Sequence, residues 1–388
     1  MTTMDANIAA GVDPNAQRAL VELLPALHTA LAELGTEELE IPDGRALKTF
    51  KTAGGPMLLI PGAFGGLGAG ALAACRVQRA LGASSPSLAI GTTMHHFSVA
   101  SLVQAIAAGQ SSQNLLLEAV AHGNLLLASA FAEGRPGGSV VRPAVRLSTD
   151  DQGYRLDGVK KPCSLSYSMD LITVSAIEET PDGEELVVIA VDARSQGVSA
   201  EKFWTSPILA ASESHAVRFD GVRVGAAQMV RVGAPGDAAT DDVQRAGFAW
   251  FTLLMIASYL GVLSRLVDAA VLVDQQPSNR RLSLASQYWN LVRSLETLAV
   301  ELDGCEELPD DVLTAQLLAL RITVEVEAQK IAAEAATMIG GRALAGGDPS
   351  LNIHHPALQC LAFHPPRACE STDSIIATLV HSEPLRIF

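Results

Sequence analysis

Residues Ala246 to Ser264 read AGFAWFTLLMIASYLGVLS, nineteen positions without a charge, closed by Arg245 and Arg265. A helix this apolar on every face must lie either in a bilayer or among other helices. One isolated span with no topology signal favours the second. The stretch therefore calls for a bundle, and the sequence around it supplies one. Gly247 to Val273, Leu282 to Leu302, Pro309 to Ile339 and Thr372 to His381 place apolar residues at helical spacing, and Gly340-Gly341 stops the third. The expectation is a bundle of four to five helices over 235–388.

Upstream the period changes. Val141, Val145 and Leu147 alternate with polar residues before the turn Asp150-Asp151-Gln152-Gly153. Tyr154 to Leu156 leads into a second turn at Asp157-Gly158. Leu171 to Ile177 and Leu186 to Val191 are strands joined through Pro181-Asp182-Gly183, and His215 to Phe219 closes on Asp220-Gly221 before Val222 to Val224 continues it. Short strands with these turns predict a β-sandwich or barrel over 124–234. Residues 1–123 return to helix, at Ala16 to Leu34, Ala71 to Leu81, Ser98 to Ala108 and Asn114 to Ala121. Within them Gly66, Gly68 and Ala71 match a dinucleotide-binding glycine pattern. No Asp or Glu follows between Ala71 and Leu117 to hold a ribose, so the stretch reads as a glycine-rich turn between helices. The fold class is α+β, with an N-terminal helical domain (1–123), a central β domain (124–234) and the C-terminal bundle (235–388). A chain of 388 residues is too long for one core.

The net charge of −15 argues against nucleic acid and anionic membranes as partners. Five cysteines without paired spacing fit a reducing cytoplasm better than a disulfide framework, and the N-terminus lacks the basic and apolar regions of a signal peptide. The pairs His95-His96 and His354-His355 are adjacent, so their side chains diverge, and no metal site is expected. The carboxylate of Glu370 stands just before hydroxyls and an apolar run. Ser371 or Thr372 can cap the following helix, which puts Glu370 at its positive end. A proton-abstracting base and a surface glutamate at a helix start both meet that description.

The helical, β, helical order and seven short segments in that order resemble the acyl-CoA dehydrogenase flavoprotein superfamily. Ile60 to Gly68 is similar to its "P-x-x-x-G-G-x-G" turn, Phe131 to Ser139 to its "T-E-P-x-A-G-S" loop, and Gly158 to Ser164 to "G-x-K-x-W-I-T". Phe219 to Val224 is similar to "F-E-D-V-x-V", Gly261 to Ala270 to "G-x-A-x-x-A-L-D-x-A", Gly340-Gly341 to "G-G-x-G", and Cys369 to Ile375 to "Y-E-G-T-S-E-I". The resemblance is that of a divergent member. Pro162 replaces the tryptophan that flanks the flavin, Thr337 stands where glutamine is usual, and QPSNRR (276–281) takes the place of "R-x-x-F-G".

The resemblance implies FAD and α,β-dehydrogenation of an acyl thioester, on coenzyme A or a carrier protein. Glu370 would abstract the α-proton and hydride would pass to flavin N5. Ser164 would donate its hydroxyl near N5, with backbone groups of Phe131, Ala132 and Cys163 around the ring. Ser139 would sit by the pyrophosphate, Gly340, Gly341 and Thr372 by the adenylate, and His95 or His96 would line the acyl pocket. An electron-transfer flavoprotein as acceptor and a homodimer or homotetramer are implied as well. Two alternatives stand beside this. Pro162, the "P-A-L-Q" of Pro356 to Gln359 and the missing "R-x-x-F-G" favour a flavin monooxygenase on the same fold. A flavin-free, non-catalytic relative is the other.

Overall fold

The computed structural model describes residues 11–107, 114–134, 142–234, 238–305 and 308–386. The N-terminal helices are α1 (Pro14–Leu23), α2 (Pro25–Leu39), α3 (Arg45–Thr52), α4 (Ala71–Ser84), α5 (Pro86–Ala107) and α6 (Asn114–Gly123). The strands are β1 (Leu127–Ala130), β2 (Arg146–Asp150), β3 (Gly153–Cys163), β4 (Leu171–Thr180), β5 (Gly183–Asp192), β6 (Val198–Glu201), β7 (His215–Val224) and β8 (Met229–Gly233). The bundle holds α7 (Ala238–Val271), α8 (Ser278–Asp303), α9 (Asp311–Ile339), the short α10 (Gly341–Ala345) and α11 (Ala368–His381). The α+β class and the three-part order are those expected.

The uncharged stretch lies in α7, which packs against α4, α5, α8 and α9. Its segment Arg245–Val271 is long and apolar enough to cross a membrane, but 89% of its most apolar window is buried inside the protein. The other elements start where local chemistry says they should. Asp13 caps α1, accepting from the Ala16 N–H at 3.2 Å, and Pro14 follows at the first helical position. Asp303, at the end of α8, accepts from the N–H groups of Ala71 and Leu72 at 2.5 and 3.0 Å. This carboxylate occupies the helix N-terminus that a dinucleotide phosphate would need, and the preceding glycine-rich stretch is the turn expected.

Several boundaries differ from expectation. Ala16 to Leu34 is not one helix: Pro25 has no N–H to continue α1, and α2 begins at it. Helix α5 begins at Pro86, not Ser98, because its first turns are buried on all sides and show no amphipathic period. Asp157-Gly158 is not a turn but a bulge inside the single strand β3. Gly158 takes φ 144°, and Asp157 Oδ1 accepts the Gly221 N–H at 2.8 Å. The eight strands form one sheet in the order β6-β7-β3-β2-β4-β5-β8, with β1 parallel to β4.

Candidate functional site

The ends of strands β1 and β3 lie together. Strand β1 leads into Phe131-Ala132-Glu133-Gly134, and β3 ends at Cys163. The Lys161 N–H donates to the Ala132 carbonyl at 2.9 Å, and the Cys163 thiol to the Ser129 carbonyl at 3.5 Å. Of the residues expected around a cofactor, Phe131, Ala132, Cys163 and Ser164 are therefore neighbours. Cys163 is fully buried, and burial pushes its thiol up to about 12. It packs; it is not a nucleophile.

Pairing of Cys163 with His215 in β7 then adds residues that the sequence did not single out. Ser164 Oγ lies 2.8 Å from Ser214 Oγ, which lies 2.7 Å from Ser212 Oγ. The Ser212 hydroxyl donates to the Leu209 carbonyl at 2.7 Å. Beside this chain the Tyr167 ring, 57% exposed, tilts over His215 at 4.9 Å, and His215 Nδ1 accepts from the N–H groups of Phe203 and Trp204 at 3.2 Å each. Helix α5 passes beneath: a Cβ on Gly91 would stand 3.3 Å from Leu165 Cδ2 and 3.8 Å from Ser212 Cα. A cavity of about 410 Å³ adjoins, with Glu133, Lys161, Lys202, Phe203 and Arg218 in its lining. The available signal was the hydroxyl density of Ser164-Leu165-Ser166-Tyr167-Ser168 and Ser212-Glu213-Ser214-His215.

Two buried carboxylates hold this region. Glu133 accepts from the Ala144 and Val145 N–H groups at 2.8 and 3.1 Å and from Lys160 Nζ at 3.0 Å. Burial alone would raise its pKa; the Ala144 N–H and the Lys160 charge outweigh that and hold it below the usual range. Lys160, fully buried, also donates to the Phe131 carbonyl at 3.3 Å and to Ser175 Oγ at 3.0 Å. Glu213 accepts from the Tyr167 and Ser168 N–H groups at 3.1 and 2.8 Å and from Ser168 Oγ at 2.8 Å, although burial still raises its pKa. Leu165, Leu209 and Glu213 all take left-handed φ, at 65°, 59° and 54°. Each costs about 1–3 kcal/mol, and such strain gathers where structure over-determines a site.

The other expected residues lie elsewhere. Glu370 is in the first turn of α11, which starts at Ala368, so neither Ser371 nor Thr372 is its cap. Its carboxylate accepts from the Arg367 N–H at 2.9 Å and from Arg367 Nε and Nη2 at 2.8 and 2.5 Å. The Arg367 bonds hold its pKa below the usual range. An exposed, ion-paired carboxylate of lowered proton affinity is a poor base toward carbon. Gly340 ends α9 at φ 84° and Gly341 begins α10, while Thr372 is exposed on α11. Ser139 lies outside the described residues.

His95 and His96 are fully buried in the core beside Phe50, not in an open pocket. His95 Nδ1 accepts the Leu127 N–H at 3.0 Å, which fixes the neutral tautomer whose Nε2–H donates to the Pro56 carbonyl at 3.1 Å. Burial pushes the two rings down from 6.5 to about 4 and about 3. An unfolded chain protonates them below pH 6.5; the folded chain refuses those protons until about pH 4. Stability is therefore lost as pH falls through that window, by up to about 2 kcal/mol per ring at pH 5. In urea unfolding at pH 7 and pH 5, His95→Asn, which keeps the acceptor for Leu127, should lose about 2 kcal/mol less than wild type. Equal losses would count against the buried neutral ring. Among the described residues no group of three His, Cys, Asp or Glu side chains could hold a metal ion.

The three-part helix–sheet–helix arrangement is the acyl-CoA dehydrogenase-like fold that the sequence led one to expect. The chain is 38% identical over 363 residues to isobutylamine N-hydroxylase from Streptomyces viridifaciens, covering 91% of this chain and 94% of that one. It belongs to one family with this enzyme. The nitrososynthase from Micromonospora carbonacea var. africana superposes with a TM-score of 0.79 at 20% identity, over 97% of this chain and 99% of the other. FMN-bound TdsC from Paenibacillus sp. A11-2 does so at 0.77 and 16%, over 99% of each. No family model matches the chain. These relatives overturn acyl-thioester dehydrogenation as the activity, and proton abstraction by Glu370 falls with it. The acyl thioester and the electron-transfer flavoprotein lose their support for the same reason.

Proposed function

We propose that this protein is a flavin-dependent N-hydroxylase of a small primary amine. The observation that carries this is the near full-length identity to isobutylamine N-hydroxylase. The ion-paired state of Glu370 agrees, since oxygen transfer to nitrogen needs no base for a carbon acid. The donor set at the strand ends fits a flavin. It combines a partly exposed hydroxyl at Ser164, backbone groups of Phe131, Ala132 and Cys163, and the ring face of Tyr167. We take the flavin to be FMN, the form bound to TdsC, in place of the FAD first expected.

Reduced flavin supplies two electrons to O₂, so that one oxygen atom enters the amine as hydroxylamine and the other leaves as water. The chain's own residues bind and orient. The backbone at 131–132 and 163–164 would hold the ring, the Ser164 hydroxyl would meet its edge, and Tyr167 and Trp204 would limit access of water. Apolar residues such as Leu272 and Leu282, 76% and 60% exposed, support a homo-oligomer.

The test supplies chemically reduced FMN and ¹⁸O₂ with a panel of C3–C6 primary amines and reads product mass. One ¹⁸O in a hydroxylamine is expected. Glu370→Gln should keep at least half the turnover, and Ser164→Ala should lose at least tenfold. Anaerobic bleaching of bound flavin by acyl thioesters, without amine oxidation, would overturn the proposal.

A further inference from the structure

The cavity beside the strand ends carries charge that the fold does not use. Its lining holds the cations Lys161, Lys202 and Arg218 and the carboxylates Glu133 and Glu201. Arg218 is paired with Glu201, its Nε and Nη2 donating at 2.6 and 3.3 Å. Glu133 is paired with the buried Lys160 at 3.0 Å. Among the described residues Lys161 and Lys202 have no carboxylate partner, so the cavity is left with two positive charges in excess. In a chain of net charge −15, two ammonium groups lining one concavity without a carboxylate point to an anionic ligand.

Local structure places both lysines. The Lys161 stem runs past Gly134, which takes φ 58°. A Cβ there would stand 3.1 Å from Lys161 Cγ, so a larger residue would crowd the stem. The Lys161 ammonium then lies 5.5 Å from the centroid of the Phe203 ring, a cation–π contact. Its backbone is fixed as well, through the bond of its N–H to the Ala132 carbonyl. Lys202 follows β6 directly and is exposed. Its charge is felt at the strand ends: burial first, and then Lys202, lower the pKa of His215. Ala144, Gly158 and Ala216 in the lining are small, which leaves room for a ligand between the two lysines.

We propose that this cavity is a phosphate site, that Lys161 and Lys202 are its ligands, and that the terminal phosphate of the flavin occupies it. The inference rests on the flavin reading above and adds to it which residues distinguish FMN from riboflavin. A phosphomonoester carries close to two negative charges at neutral pH, which matches the excess; a carboxylate carries one. Ammonium groups meet phosphate oxygens as point charges and need no planar partner. Lys161 is bonded to Ala132 and stands three residues ahead of Ser164, so the cavity adjoins the groups assigned to the ring.

Riboflavin and FMN differ by the phosphate alone, so their affinities for the purified full chain isolate it. Oxidised flavins are followed by fluorescence quenching and dithionite-reduced ones by anaerobic titration. FMN should bind about thirtyfold more tightly than riboflavin, or better, as two charge-assisted contacts would give. In the double variant Lys161→Met with Lys202→Met that advantage should fall to about threefold or less, while riboflavin affinity, which reports an intact ring site, stays within about twofold. Lys161→Arg with Lys202→Arg should keep most of the advantage, because the charges remain. Calorimetry with inorganic phosphate separates two sources of the anion. At matched ionic strength, phosphate should compete with FMN and not with riboflavin. Phosphate that binds wild type, fails to bind the double methionine variant and leaves FMN affinity unchanged would assign the cavity to free phosphate and overturn its assignment to the flavin. Equal affinities of wild type for FMN and riboflavin, or an advantage untouched in the double methionine variant, overturn the inference and leave the flavin reading standing. A chain that takes up neither flavin overturns both.

Discussion

Replacing Lys160 with methionine should destabilise the fold by about 3–5 kcal/mol, the usual cost of removing one partner of a buried ion pair. Lys160 is fully buried, and the Glu133 side chain it meets at 3.0 Å is 7% exposed. Methionine fills the stem's volume but takes away the ammonium that meets the Glu133 carboxylate, Ser175 Oγ and the Phe131 carbonyl. The effect should reach the site, because the Phe131 carbonyl is held by this ammonium and the Ala144 N–H by Glu133. Bound FMN should weaken at least tenfold in the same variant. The double variant Lys160→Met with Glu133→Gln discriminates: neutralising the carboxylate that faced Lys160 should return about half of the lost stability or more. Urea unfolding of wild type, both singles and the double closes the cycle. A double variant no more stable than Lys160→Met alone would mean that the ion pair is not what holds the loop.

This pair also shows what the sequence could and could not disclose. Both partners sit in segments that the sequence singled out, Glu133 in the loop after β1 and Lys160 just ahead of Ser164. The reason they belong together appears only when the fold brings the ends of β1 and β3 into contact. The serine chain was less legible still. Ser164 and Ser214 are joined across fifty positions by the pairing of Cys163 with His215, and no spacing rule anticipates that. Strand β1 went unseen because Leu127 to Ala130 is buried at every position and does not alternate. Glu370 was misread for the opposite reason. The motif around it drew attention to its chemistry, while its partner Arg367, three residues earlier, was in plain view at helical contact spacing. Long-period composition, as in α7, was the most legible signal, because an uncharged nineteen-residue run leaves few placements open.

That helix also carries the sharpest contrast in expected effects. Gly261→Ala should cost about 3 kcal/mol or more, while Gly247→Ala in the same helix should be neutral or stabilise by up to about 1 kcal/mol. A Cβ on Gly261 would stand 2.1 Å from the Arg79 carbonyl oxygen and 2.8 Å from its carbon. Both are backbone atoms of α4, so no side chain can swing aside. Gly82 reciprocates, its added Cβ falling 2.2 Å from the Ser258 carbonyl oxygen. Helices α4 and α7 therefore touch backbone to backbone, and alanine at the crossing must push them apart. What moves with α4 raises the cost. Arg79, fully buried, pairs with Asp13 at 2.6 Å and Glu296 at 2.7 Å. A displaced α4 would strain the contacts of this guanidinium to the cap of α1 and to α8. At Gly247 the nearest atom to an added Cβ is Ser101 Oγ at 3.7 Å, an ordinary contact. There the gain in helix propensity is unopposed. Thermal midpoints of the two variants should move in opposite directions from wild type. Similar shifts would mean that the helices can slide apart at little cost, and that a close crossing is not why glycine stands at 261.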